Sequence, residues 1–162
     1  MPPPDAREVI DAARAAGLTI STAESLTGGA LCHALVAVPG ASDVVSGGVI
    51  AYTSGLKQSL LGVTAATVRR HGTVSAAVAE AMAQGVRGVT GSSVGIATTG
   101  VAGPGELEGK PAGRVHIGLA IGDDVTSQDH DFAGDRAAVV GLACEAALTM
   151  LARAIAEAPS GP

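Results

Sequence analysis

Aromatic side chains are nearly missing from this sequence of 162 residues: there is no tryptophan, one tyrosine (Tyr52) and one phenylalanine (Phe132). Proteins that bind single-stranded nucleic acid stack bases on aromatic platforms, so that mode is excluded. Basic clusters are scarce as well. The net charge is −5, and no run of Lys or Arg exceeds the pair Arg69-Arg70, whereas a nucleic-acid module needs a basic face. No apolar run reaches the ~18 residues of a membrane span. The opening "MPPPDAREVID" lacks the basic-then-apolar order of a signal peptide. Cysteine is limited to Cys32 and Cys144, too few for a zinc cluster, and no His pair has ligand spacing. These absences predict a cytoplasmic protein with two buried free thiols, no metal, no cofactor, no nucleic-acid partner and no membrane.

Lysine is the most informative shortage. Eight of the ten basic residues are arginine, and only Lys57 and Lys110 are lysine. One of them stands five residues after the single tyrosine, in "GGVIAYTSGLK" (Gly47 to Lys57).

What the chain has in plenty is Ala, Val, Leu, Ile and Gly. A core of small residues lets helices and sheet pack closely. The length suits one domain, 1–162, with loose ends at 1–4 and 158–162. Asp5 to Ala16 reads as a helix stopped by Gly17. "LTIST" reads as a strand, "AESLTGG" as a turn and "ALCHALVAV" as a helix ended by Pro39-Gly40. "SGGVIAY" is a second strand. Thr53 or Ser54 caps a short helix to Leu61, another runs up to His71-Gly72, and Ser75 caps a third to about Val89. "SVGIATT" is a third strand and Gly100 to Gly113 a loop. "RVHIGLAIG" and "VTSQDHDF" form a hairpin turning at Gly122-Asp123-Asp124, and Asp135 opens a last helix to about Ala156.

Strands alternating with helices predict an α/β sheet covered on both faces. The first three strands should be parallel and the hairpin antiparallel, giving a mixed sheet. Ligands of such sheets gather at the carboxyl ends of the parallel strands, where strand order reverses. The segments leaving those ends are Ala23–Gly29, Tyr52–Lys57 and Thr98–Gly105, the most chemically loaded in the chain.

Lys57 falls in the first turn of its helix, where the dipole disfavours an ammonium, and partial burial would lower its proton affinity further. Such a lysine can act as a general base, although a solvated surface lysine is the plainer reading. Tyr52 can orient or protonate a reacting group, or simply plug a strand end. Ser25 is a candidate nucleophile, with Thr27, Gly28 and Gly29 at a helix start where N–H groups can hold a phosphate or an oxyanion; equally, Ser25 and Thr27 can be plain caps. Ser42 is a second candidate. Ten residues of straight strand span about 33 Å, which keeps Ser42 from Tyr52 unless the chain bends or another subunit supplies it. Arg136, in the first turn of the last helix, suits a bound anion. The four histidines are scattered and read as structural or solvated.

Together the stretches "TAESLTGG", "PGAS", "GGVIAYTSGLKQSLLGV", "HGTVSAAVAEAMAQG", "TTGVAGPG", "KPAGRVHIGLA" and "FAGDR" resemble the CinA carboxy-terminal domain family, in the family's order and over nearly the whole chain. Its better-characterised members are nicotinamide mononucleotide deamidases. The resemblance implies a three-layer α/β/α fold with a five-stranded mixed, mostly parallel sheet, in the stand-alone form without the amino-terminal pyrophosphatase-like domain. It implies a serine amidohydrolase with a Ser/Lys dyad that makes nicotinic acid mononucleotide and ammonia. Lys57 is then the base, Tyr52 assists, and Ser25 or Ser42 is the nucleophile. N–H groups near Gly28-Gly29 hold the oxyanion, and Thr99, Gly100 and Arg136 line the nucleotide pocket. The implied partners are a small nucleotide and a second copy in a homodimer. Two segments depart from the family pattern: Ser54-Gly55, where an Asn-Glu pair is usual, and the shortened Gly103–Gly113. The alternative is a non-catalytic binding module tied to competence or DNA damage.

Overall fold

The computed structural model describes residues 2–159. The elements are α1 (Ala6–Ala16), β1 (Ile20–Glu24), α2 (Ala30–Val36), a 3-10 turn at Ala41–Asp43, β2 (Val45–Ile50), α3 (Ser54–Leu61), α4 (Ala65–His71), α5 (Ala76–Thr90), β3 (Val94–Gly100), β4 (Arg114–Ile121), β5 (Asp124–Asp131) and α6 (Arg136–Glu157). They form one five-stranded sheet ordered β2-β1-β3-β4-β5. β1 pairs in parallel with both β2 and β3, and the β3–β4 and β4–β5 pairs are antiparallel. This is the expected mixed sheet.

The helix starts follow from their caps. Asp5 closes a capping box with Glu8 on α1. Thr53, Thr64, Ser75 and Asp135 each accept an N–H from their own first turn. The β4–β5 hairpin turns on Gly122-Asp123, with Gly122 at φ 57°, a value that glycine adopts without strain.

Two apolar layers hold the helices to the sheet. On one face Val9, Ile10, Leu31, Leu35 and Leu151, from α1, α2 and α6, pack on Ile20, Ile96 and Ile117. On the other, Val78, Met82 and Val86 of α5 pack on Ala23, Ala97 and Ala120. Each fully buried Ile or Leu contributes roughly 1.5–3 kcal/mol. The second layer is thin because small residues face it: a Cβ at Gly118 would run into the Ala79 carbonyl of α5. α6 is long and apolar enough to cross a membrane by length and composition. Here its stripe of Val139, Ala143, Ala147, Leu151 and Ile155 is buried in the first layer.

Some boundaries differ from the sequence expectation. β1 starts two residues later and carries on through Ala23 and Glu24, which pair with β2 and β3. β2 stops at Ile50, so Ala51 and Tyr52 lie beyond it. Pro2–Pro4 lack regular structure and lie beside Thr149 and Arg153 of α6. The expected looseness of Met1 and of 160–162 falls outside the described residues. The strand order places the site: the chain leaves β1 for one neighbour, β2, and returns to the other, β3, so a crevice opens beyond the carboxyl ends of β1 and β3.

Candidate active site

Lys57 heads the large side chains that water does not reach, at 2% exposure. It comes from the first turn of α3, and its Nζ reaches back to the end of β2. There it lies 2.9 Å from the Ala51 carbonyl, 3.2 Å from the Tyr52 carbonyl and 2.9 Å from Ser25 Oγ. A carbonyl can only accept. In the neutral amine the two carbonyls therefore take its two N–H donors, and the lone pair is left facing the Ser25 hydroxyl. Burial pushes the Lys57 amine down to about 8, against a smaller upward pull from Glu108.

Ser25 sits on the turn after β1. Its N–H donates to the Thr98 carbonyl at 3.0 Å, and the Thr27 and Thr98 hydroxyls pair at 2.8 Å, so β3 fixes the turn. Gly28 (φ 56°) and Gly29 (φ 99°) carry the chain through the left-handed region, where a side chain would be strained. Glu24, buried at the end of β1, accepts from Leu31 N and Cys32 N at 2.9 Å each and from the Thr22 hydroxyl at 3.2 Å. The protein's own carboxylate thus occupies the start of α2.

Ser25 and Lys57 border a cavity of about 420 Å³. Leu26, Tyr52, Ser54, Thr73, Val74, Thr99, Gly100, Arg136 and much of the Val101–Leu107 segment complete its wall. Arg136, the first residue of α6, donates to the Gly103 carbonyl at 2.8 Å and to the Tyr52 phenol oxygen at 3.0 Å. Thr99 donates its hydroxyl to the Thr73 carbonyl at 2.8 Å.

A family model described as the CinA C-terminal domain matches residues 4–155. This chain belongs to the CinA family. A putative competence-damage inducible protein of Desulforamulus reducens is 49% identical over 135 residues, 83% of this chain and 33% of its own length. A CinA-like protein of Salinibacter ruber is 46% identical over 139 residues, 85% of this chain and 34% of its own length. The chain thus spans about a third of the length of the curated relatives it matches. Among solved structures, a CinA superfamily protein from Klebsiella pneumoniae 700603 is similar with a TM-score of 0.92 and 34% identity, covering 94% of this chain and 96% of that one. The competence/damage inducible protein CihA from Agrobacterium tumefaciens has a TM-score of 0.88 and 33% identity, covering 97% and 99%.

Within this CinA domain, Ser25, Tyr52, Lys57, Thr99 and Gly100 border one cavity, as their places at strand ends predict, and Arg136 of α6 joins them there. Other expectations need correction. Ser42 is exposed in the 3-10 turn before β2, whereas Lys57 follows the other end of that strand, so one chain does not bring the two together. Thr27, Gly28 and Gly29 lie outside the cavity wall, because Thr27 is spent on Thr98 and Gly28 N donates to the Ser25 carbonyl at 3.1 Å. The helix start behind them cannot take an anion while Glu24 holds it. Tyr52 is 58% exposed, with its phenol bonded to Arg136; Lys57 uses only the Tyr52 carbonyl. The Ser54-Gly55 and Gly103–Gly113 segments both touch the cavity, through Ser54 and through Gly103, Gly105, Glu106 and Leu107.

The cysteines are half-buried free thiols, and burial, with Glu24 and Glu145 nearby, pushes Cys144 up to about 12. His33 and His71 are exposed; His116 is buried with Nδ1 2.6 Å from Asp129, and His130 stacks on Phe132. Sequence reasoning missed Glu24, Thr98, Thr73, Glu108 and Lys110. Only Lys110 carried a signal, its rarity.

Proposed function

We propose that this CinA domain is an amidohydrolase that converts nicotinamide mononucleotide to nicotinic acid mononucleotide and ammonia, with Ser25 as nucleophile and Lys57 as base. The observation that carries this reading is the 2.9 Å contact between Ser25 Oγ and a buried amine whose proton affinity has fallen to about 8. An amine of that kind accepts a proton near neutral pH; a guanidinium does not.

In the proposed cycle Lys57 takes the Ser25 proton through its free lone pair. The alkoxide attacks the carboxamide carbon, and the Leu26 N–H, next in the chain on the cavity wall, is assigned to the oxyanion. Lys57 returns the proton to the departing nitrogen, the C–N bond breaks and ammonia leaves. Water then attacks the Ser25 ester with Lys57 again as base, releasing the acid and restoring the hydroxyl. Arg136, already at the rim, is assigned to the substrate phosphate. Thr99 and Gly100 are assigned to the nucleotide wall, and the Tyr52 phenol to holding Arg136 rather than to proton transfer. We place the protein in the cytoplasm, as a homodimer.

The test is incubation of the purified protein with nicotinamide mononucleotide and assay of ammonia. Stoichiometric ammonia and nicotinic acid mononucleotide are expected, and no release by a folded protein ends the reading. The names of the relatives favour a second reading, a non-catalytic module tied to competence or DNA damage. Under it, binding would persist without turnover and Ser25→Ala would change nothing.

A further inference from the structure

Two carboxylates outside the proposed cycle tie the surroundings of the cavity together. Glu108, on the loop between β3 and β4, crosses to the segment ahead of α5. There it accepts from Thr73 N at 3.0 Å, from Val74 N at 3.3 Å and from the Thr73 hydroxyl. It fastens an outer wall, since Thr73 and Val74 border the cavity. Glu24 lies deeper, at 1% exposure, and immediately precedes Ser25 in the chain.

Glu24 holds that point of the chain from two directions. Its carboxylate faces α2: Oε1 accepts from Leu31 N at 2.9 Å, and Oε2 accepts from Cys32 N at 2.9 Å and from the Thr22 hydroxyl at 3.2 Å. Leu31 and Cys32 are the second and third residues of α2, whose N–H groups a capping side chain ordinarily takes. Gly29, in the capping place, has no side chain to offer, so Glu24 caps the helix from the end of β1. The Glu24 carbonyl accepts from Ala51 N at 2.8 Å, and the Ala51 carbonyl in turn takes Lys57 Nζ at 2.9 Å. One residue thus fastens both ends of the turn that carries Ser25 and also the backbone that orients the amine. The surroundings leave it little freedom. A Cβ at Gly48 would run into Thr22 Oγ1 and Cys32 Sγ, which belong to two of the residues that donate to Glu24.

We infer that Glu24 is a positioning residue for the reacting pair: by capping α2 from the end of β1 it holds Ser25 Oγ at hydrogen-bond distance from Lys57 Nζ. It does not border the cavity and acts only through its neighbours. The inference rests on Ser25 and Lys57 as the pair that reacts.

Glu24→Gln keeps the size of the side chain but sets an NH₂ group against one of the two N–H donors of α2. Glu24→Asp keeps both oxygens but is one methylene short of them. Because a misplacement of about 1 Å can cost about 10²-fold, kcat should fall about tenfold or more in either folded variant, with KM within about twofold of wild type. Leu35→Ala, in the buried face of α2, is the comparison for a merely structural role: it should lower stability and leave the kcat of the folded protein unchanged. Thr22→Val keeps the shape and removes one of the three donors to the carboxylate. Its kcat should fall severalfold, which gives a reading where neither Glu24 variant folds. Wild-type kcat in a folded Glu24 variant, or in Thr22→Val where neither folds, overturns the inference, as does an equal kcat loss in Leu35→Ala. A fluorophosphonate, which phosphonylates an activated serine with loss of fluoride, reads the same alignment without a nucleotide. By mass spectrometry Ser25 should be labelled about tenfold or more slowly in the Glu24 variants than in the wild type. Labelling of wild-type Ser25 without release of ammonia would instead overturn the proposed reaction and leave that comparison readable.

Discussion

At the amino-terminal end of β1, Ser21 Oγ lies 2.6 Å from Ser92 Oγ, and Thr19 and Ser93 exchange hydrogen bonds of 2.9 and 3.1 Å. At the carboxyl end, Ser25 Oγ lies 2.9 Å from Lys57 Nζ. Both ends tie β1 to a neighbouring segment through a buried serine. At the first end each hydroxyl meets another hydroxyl or a backbone group, and none of the partners titrates near neutral pH. At the second end the partner does titrate, and a cavity of about 420 Å³ stands beside it. A short hydrogen bond to a buried serine is thus no mark of chemistry by itself. The difference lies in a partner that can take the proton and in room for a third molecule.

The largest effect should come from cutting the reactive end. Ser25→Ala removes the proposed nucleophile and should lower kcat by about 10³-fold or more. Lys57→Arg should be as damaging, since Arg keeps the charge but cannot act as a base. Both are read as ammonia release by protein whose circular dichroism matches the wild type; near-normal turnover in either removes that residue from the mechanism. The pH profile sharpens the same point. If the free amine is the active form, kcat/KM should rise about tenfold per pH unit below 8 and level off above it. A profile flat from pH 6 to 9 would mean that the titrating partner is not used.

The buried lysine should also leave a mark on stability, and the sign follows from linkage. Folding lowers the Lys57 value from 10.5 to about 8. Between those values the unfolded chain binds more protons, so wild-type stability increases with pH across that window. Below pH 8 the full penalty of the buried ammonium applies, about 3 kcal/mol at most. Lys57→Met has no such penalty, although it leaves the Ala51 and Tyr52 carbonyls without their donor. Whatever that fixed loss, the stability of Lys57→Met relative to wild type should decline from pH 8 to 10.5. Urea titrations at several pH values measure it, and parallel curves would mean that the amine is not held at a shifted value.

Much of this was legible in the sequence because it depended on local signals. Thr53, Ser75 and Asp135 announced their helices, Gly122-Asp123 its hairpin, and the alternation of strands and helices a sheet whose parallel strand ends gather a site. Ser25, Lys57 and Thr99 fall at those ends, so their meeting at one cavity follows from topology, whereas Arg136 stood out only by its place in the first turn of the last helix. What stayed hidden was tertiary. Glu24 looked like part of a turn, and only its pairing across β1 shows it as the residue that fills the start of α2. Glu108 lies in a Gly- and Pro-rich stretch, and no local pattern points from it to Thr73. Tyr52 drew attention through its rare phenol, whereas Lys57 uses its carbonyl, which any residue would provide.

The smallest expected effect lies at the quiet end of β1. Ser21→Ala deletes one hydroxyl from the Ser21–Ser92 pair. Ser92 is not orphaned by this, since its hydroxyl still lies 3.0 Å from the Val94 carbonyl and Thr90 Oγ1 remains 3.1 Å away. The loss is therefore one ordinary hydrogen bond, about 1 kcal/mol, without the larger cost of a stranded polar group. The alanine fills less space than serine by a single oxygen, so the neighbouring strands have little reason to move. Stability should drop by that amount in a urea titration, while kcat and KM stay at wild-type values because Ser21 lies at the opposite end of β1 from the cavity. A clear fall in kcat would mean that the two ends are coupled through β1 and that the contrast between them is wrongly drawn.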